Sequence, residues 1–161
     1  MAKKEEKTNV MRVLEQKQIP YTAHTYPADG PTDGVSVANY LHQDVEQVFK
    51  TLVTKATSGI YYVFDIPVAE NLDLKKAAKA VGEKSIAMIP QKELLPLTGD
   101  VHGGCSPVGM KKQFHTVFHE TVILFDTICV SAGKIGAQVE VAPDALIALL
   151  GADTADVVVE A

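Results

Sequence analysis

The stretch Val48-Phe-Lys-Thr-Leu-Val53 decides how this chain is read. Valine, phenylalanine and threonine here favour a pleated strand over a helix. In a strand the side chains alternate, so Val48, Lys50 and Leu52 share one face while Phe49, Thr51 and Val53 share the other. Both faces are mainly apolar, which reads as a strand covered on both sides. A lysine in that setting must snorkel to water, pair with an acid, or line a cavity. Two readings of Lys50 stay open: a snorkelling side chain at a sheet edge, or a cation held in a pocket for an anion or a polarised carbonyl.

Working outward, Ile60 to Ile66 reads as a second strand, and Ser58-Gly59 marks a hairpin between the two. Upstream, Val10, Met11, Val13 and Leu14 are apolar at helical spacing, with Thr8 or Asn9 as cap and Pro20 as the stop. Tyr21 to Tyr26 reads as a strand, Pro27 to Gly34 as a loop, and Val35 to Leu41 as a short helix. Downstream come a basic helix from Leu72 to Val81 ended by Gly82, a strand from Ser85 to Ile89, and a short helix opened by Pro90. Three β runs follow: Thr116–Phe118, Val122–Phe125 with Ile128–Ser131, and Ala137–Val141. A last helix starts at Pro143 and runs to Leu150. Short strands with interspersed helices predict an α+β fold, one domain over residues 1–161 with a mixed, mostly antiparallel sheet.

Composition agrees with that reading. The chain has 161 residues, 47% hydrophobic and 22% charged, with a mean hydropathy of +0.08. This suffices for one real core and is too apolar for disorder. No apolar run approaches the ~18 residues of a membrane span, and no apolar segment after Met1–Lys7 suggests a secretory leader. Cys105 and Cys129 have no metal spacing and fit free thiols in a reducing cytoplasm. The formal net charge of −5 taken alone argues against a nucleic-acid partner.

Three segments tempt a chemical reading. In Gly103-Gly104-Cys105-Ser106-Pro107, the glycines let a ligand approach the backbone, and Pro107 holds Ser106 extended. Such a loop can aim N–H groups at a carbonyl oxygen or phosphate, or it can be an ordinary tight connection. Ser131-Ala-Gly133-Lys134-Ile-Gly136 fails as a nucleotide phosphate loop, since Ile128 and Ile135 stand where glycine and a hydroxyl are needed. It can still set Ser131 and Lys134 at a pocket rim. His115 and His119 fall on a strand, about 13 Å apart, too far to share one ion. No metal and no cofactor are expected.

Taken in order, several segments together resemble one family. They are Thr8–Arg12, His24-Thr-Tyr26, Val48–Val53, Leu72–Lys79, Thr98-Gly99, Gly103–Lys112, Val130–Lys134 and Val139-Glu140. They are similar to the YbaK/EbsC aminoacyl-tRNA deacylases, free-standing relatives of the prolyl-tRNA synthetase editing domain, and most to the Cys-tRNA(Pro) deacylase branch. The resemblance implies a barrel-like sheet flanked by helices and hydrolysis of the ester between a wrong amino acid and tRNA. It implies Lys50, Gly103 and Ser131 as catalytic positions. Tyr26, Gly104, Cys105, Ser106, Pro107, Gly133, Lys134 and Gln138 would bind substrate. Lys50 matches the family's strand lysine, placed at the 3′-terminal adenosine and its phosphate.

In that branch the cysteinyl thiol of the substrate attacks its own ester, while other branches use a bound water; both readings stay open, and Cys105 is not assigned as a nucleophile. The implied partners are the acceptor end of aminoacyl-tRNA and prolyl-tRNA synthetase, in the cytoplasm and without a membrane. Three positions depart from the pattern: His119 and Gln138 stand where aspartate is found, and Ile135 replaces a basic residue. A non-catalytic module binding tRNA, synthetase or nucleotide on the same fold is the competing reading, and a small-ester hydrolase unrelated to tRNA is a third. The acidic excess lies at the C-terminus. Residues 140–161 hold five acids and no lysine or arginine, while residues 1–139 carry 15 of each sign. The net charge therefore does not exclude a small contact with an RNA end.

Overall fold

The computed structural model describes residues 7–160; the N-terminal stretch read as lacking a leader falls, but for Lys7, outside them. Helix α1 (Asn9–Gln16) starts where Thr8 accepts the Met11 amide in its side-chain oxygen, and it buries Val10, Met11 and Leu14. Strand β1 (Tyr21–Thr25) follows, then α2 (Gly34–Tyr40), β2 (Phe49–Ala56) and β3 (Tyr61–Pro67). Asp73 caps α3 (Leu74–Val81) and Gly82 ends it in the left-handed region. Next come β4 (Ile86–Met88), α4 (Leu94–Thr98), β5 (His115–His119), β6 (Ile128–Ser131), β7 (Ala137–Val141), α5 (Pro143–Leu150) and β8 (Asp153–Ala155). Among the described residues no helix is long and apolar enough to cross a membrane.

The strands form two sheets, in the orders β1-β7-β6 and β4-β2-β3-β5-β8. The first is antiparallel throughout; in the second, β3–β5 and β5–β8 are parallel. The α+β, mostly antiparallel expectation holds. The barrel-like closure does not: the sheets meet at one parallel bridge between Val48 and Cys129, where the Cys129 amide donates to the Gln47 carbonyl. A single bridge joins the sheets at one edge and leaves their other edges apart.

Core packing follows the pleat. On β5, Phe118 turns toward α1, β6, β7 and α5, while Val117 packs with Phe64 and Ile66 under α3. Two segments depart from the sequence reading. Val122–Phe125, expected as a strand, lies mostly in a 3₁₀ turn at Glu120–Leu124. Val122 is fully buried, but Ile123 and Leu124 are 70% and 74% exposed, so the inward–outward alternation a strand needs is missing. Strand β8 was not expected; Asp-Thr-Ala carries no apolar alternation and docks through its backbone on β5. The acidic C-terminus folds back on the basic α3: Lys76 Nζ lies 2.9 Å from an Asp156 carboxylate oxygen and donates to the Val158 carbonyl.

Phe118 stacks tilted against Phe49 at 6.5 Å between centroids, tying β5 to β2 inside this core. Phe118→Ala is expected to cost about 3–5 kcal/mol of unfolding free energy. Denaturant unfolding measures this directly, and a cost below 1 kcal/mol would contradict the packing described.

Candidate active site

Strand β2 has two partners only over its second half. Strand β4 pairs with Thr54, Lys55 and Ala56, and the Ile89 amide just beyond it donates to the Val53 carbonyl, whereas residues 49–52 are laddered to β3 alone. Between the end of β4 and the Val48–Cys129 bridge, the edge of β2 is open. A cavity of about 390 Å³ fills that opening, and five consecutive residues, Val48 to Leu52, contribute to its wall. Lys50 is therefore neither on a strand covered along its length nor loose at the surface. It is half-buried in the cavity wall, and burial lowers its ammonium pKa while the Glu70 carboxylate opposes the shift.

Of the eleven residues implied by resemblance, six line the cavity: Lys50, Tyr26, Gly103, Cys105, Ser131 and Gln138. Gly104, Ser106, Pro107, Gly133 and Lys134 do not. The loop at 103–107 thus divides its work. The Gly104 amide donates to the Val101 carbonyl, and the Ser106 amide donates to an Asp100 carboxylate oxygen at 3.1 Å. Among the described residues, the amides of Gly103 and Cys105 have no such partner, and both residues line the cavity. Gly103 takes φ 88°, which suits glycine.

Gly104 serves packing. A Cβ there would lie 2.8 Å from the Ile135 nitrogen and the Lys134 carbonyl carbon, so the two glycine-rich loops touch backbone to backbone. Lys134 is exposed and lies outside the cavity lining. Ser131 accepts the Gly133 amide in its side-chain oxygen, which fixes the turn. Buried Gln138 accepts a 2.8 Å hydrogen bond from the Gln43 side chain.

The opposite wall was not foreseen. Thr32, Asp33, Gly34, Val35 and Val37, around the start of α2, line the cavity together with Thr51, Leu94 and His102. Small and polar residues at a helix start carry no periodic signal; Asp33 shows itself only as a cap, accepting the Ser36 amide and hydroxyl. Behind Thr51 lies Asp65, fully buried, whose Oδ1 accepts the Thr51 hydroxyl at 2.5 Å while Oδ2 has no partner. Burial pushes this carboxyl up to about 8. Burial, then Asp100 and Asp65, also push the Cys105 thiol far above its ordinary range. His119 is away from the cavity, with its Nδ1 accepting the Val157 amide.

Two measurements check this geometry. Gly104→Ala forces the loops apart and is expected to destabilise the fold by about 1–3 kcal/mol; a neutral effect in urea unfolding would contradict the contact. Unfolded, Asp65 ionises near 3.8; folded, it keeps its proton to about pH 8. Between those values the unfolded state releases a proton that the folded state holds, so stability falls as pH rises. The stability of the native chain relative to Asp65→Asn is expected to decline from about pH 4 to 8 and then level off. A flat difference across that window would show a normally titrating, solvated carboxylate.

The model of the aminoacyl-tRNA editing domain family matches residues 32–149. An Enterococcus faecalis protein, provisionally named Cys-tRNA(Pro)/Cys-tRNA(Cys) deacylase EbsC, is 42% identical over 160 residues, 98% of each chain. A crystal structure described provisionally as a trans-editing enzyme for prolyl tRNA synthetase superposes with TM-score 0.83 at 25% identity, covering 97% of this chain and all of the other. A hypothetical protein of known structure shares the fold, with TM-score 0.86 at 20% identity over 94% of this chain. By the family model and by the extent of the 42% match, this chain belongs to the aminoacyl-tRNA editing domain family.

Proposed function

We propose that the chain, as one editing domain spanning residues 1–161, is a trans-editing hydrolase that removes a mismatched amino acid from tRNA, with Cys-tRNA(Pro) as its substrate. The observation that carries this is the partly desolvated Lys50 ammonium in the wall of a ligand-sized cavity that also holds two unpartnered backbone amides, Gly103 and Cys105. The name borne by the 42% identical relative includes this substrate, and the name of the trans-editing structure refers to prolyl tRNA synthetase.

The chemistry follows from what the cavity contains. A cation at Lys50 suits the phosphate of the terminal adenosine, and the two amides suit the carbonyl oxygen of the ester, where negative charge develops on attack. The cavity holds no activated nucleophile of its own. Ser131 has the Gly133 amide as its hydrogen-bond partner among the described residues, with no base beside it. The Cys105 thiol is held protonated by burial and by two neighbouring carboxyls. That leaves a bound water or the substrate itself as the attacking group, and we take the substrate, as the resemblance to the Cys-tRNA(Pro) branch implies. The cysteinyl thiol adds to its own carbonyl carbon, the ribose oxygen leaves and takes up a proton, and water opens the cyclic thioester. Confinement of thiol and carbonyl in one small cavity supplies the proximity this step needs.

Tyr26, Ser131 and Gln138 shape the cavity around the amino acid. Gly104, Ser106, Pro107 and Gly133 hold the loops, and Lys134 offers a charge to RNA outside. The protein works in the cytoplasm, and prolyl-tRNA synthetase delivers the tRNA.

Deacylation of Cys-tRNA(Pro) and Ala-tRNA(Pro) tests the reading. Lys50→Ala is expected to slow release by about 10²-fold, the size of losing one preorganised electrostatic contact. Ester loss no faster than in buffer for every charged tRNA, or tight binding without turnover, would overturn it.

A further inference from the structure

Directly opposed residues of an antiparallel ladder project to the same side. His24 opposes Gln138, Ser131 opposes Gln138, and Cys129 opposes Glu140. Gln138 and Glu140 are two apart on β7 and share that side. One face of the three-stranded sheet therefore carries Ser131, Gln138 and His24 at one level and, one step along the strands, Cys129 and Glu140; Ser131 and Gln138 line the cavity, and His24, Cys129 and Glu140 lie outside its lining. One ligating atom from each of these three, the imidazole nitrogen, Sγ and a carboxylate oxygen, lie within 4.8 Å of one another.

We propose that His24, Cys129 and Glu140 form a binding site for a borderline divalent cation, with zinc the best fit. Zinc binds sulfur at about 2.3 Å and nitrogen or oxygen at about 2.0–2.1 Å, so tetrahedral ligands sit roughly 3.5 Å apart. From a span of at most 4.8 Å the cysteine need close by no more than about 1.3 Å, while His24 and Glu140, now 2.8 Å apart, move slightly apart. The mixed sulfur, nitrogen and oxygen set does not suit magnesium or calcium, which take oxygen ligands.

The supporting shell is already built. The Gln43 side-chain amide donates toward Cys129 Sγ at 3.6 Å, a contact that strengthens with a thiolate. Thr127 donates its hydroxyl to Glu140 Oε2 at 2.5 Å and itself receives a hydrogen bond from the Gln47 side chain. Such outer contacts orient metal ligands and tune them. The Gln43 side-chain oxygen is buried without a partner beside this cluster. His24 and Glu140 are about 30% exposed, which leaves an entry path and an open fourth position.

On binding, the Cys129 S–H bond breaks and its proton goes to solvent, the sulfur lone pair bonds the metal, and the 2.8 Å His24–Glu140 hydrogen bond opens as both turn to the ion. The ligands come from three strands and are far apart in sequence, which is why spacing along the chain did not show them.

The site is tested without reference to deacylation. Metal-free protein, kept reduced with a non-thiol reductant, is titrated with cobalt(II) and then with zinc. The expected result is one equivalent bound, with a thiolate-to-cobalt charge-transfer band that zinc abolishes. Cys129→Ser is expected to remove the band and weaken binding at least about tenfold, while Cys105→Ser keeps both. Glu140→Gln, at a half-buried position, is expected to weaken binding in a chain that stays folded by circular dichroism. Zinc is expected to raise the melting temperature of the native chain and of Cys105→Ser, and not of Cys129→Ser. No charge-transfer band, a band that survives Cys129→Ser, or one lost in Cys105→Ser would each overturn the proposal.

Discussion

Strand β2 has to satisfy two sheets with one backbone, and the rest of the molecule is arranged around that demand. Its second half is enclosed between β3 and β4, and its first residues reach the other sheet through the Val48–Cys129 bridge. The stretch in between has hydrogen-bonding capacity on one edge and no strand to use it. Buried backbone groups are rarely left unpaired, so such a stretch must face water or a ligand. The cavity is what a three-residue β4 leaves open, and Lys50 is in its wall because it lies in the middle of that stretch.

Much of this was legible in the residues, for reasons that can be named. The strands around 49–53, 61–66, 128–131 and 137–141 announce themselves by β-branching, and the last helix by Pro143 and its apolar face. Lys50 stands out because a charge inside an apolar run needs a reason. The limits are equally physical. The 103–107 loop looked like a cradle of several amides, yet Asp100 and Val101 occupy two of them, and nothing in a glycine-rich sequence says which. The wall around α2 joins Thr32, Asp33 and Gly34 to two valines, and although the helix itself could be read, nothing in those residues says that its start faces Lys50. Asp65 reads as an ordinary acid in a strand until the structure shows it fully enclosed beside Thr51.

Charge is distributed with the same economy. Asp156 and Glu160 approach Lys76 from the acidic C-terminus, so part of the net −5 is spent against the basic face of α3. Most of the remaining lysines are surface groups, and their attraction for RNA is weak and salt-sensitive. Under the proposed function, recognition rests on the fit of a small end group in the cavity rather than on a broad basic surface, and a partner that brings the tRNA would add to it.

The cavity is walled by residues near 26–37, 48–52, 94–105 and 131–138, which are scattered across most of the chain. None of these segments can form it alone, since each depends on contacts with parts made much earlier or later in synthesis. A nascent or partly opened chain therefore has no such cavity to offer. The cavity arrives with the complete fold, and local opening removes it again.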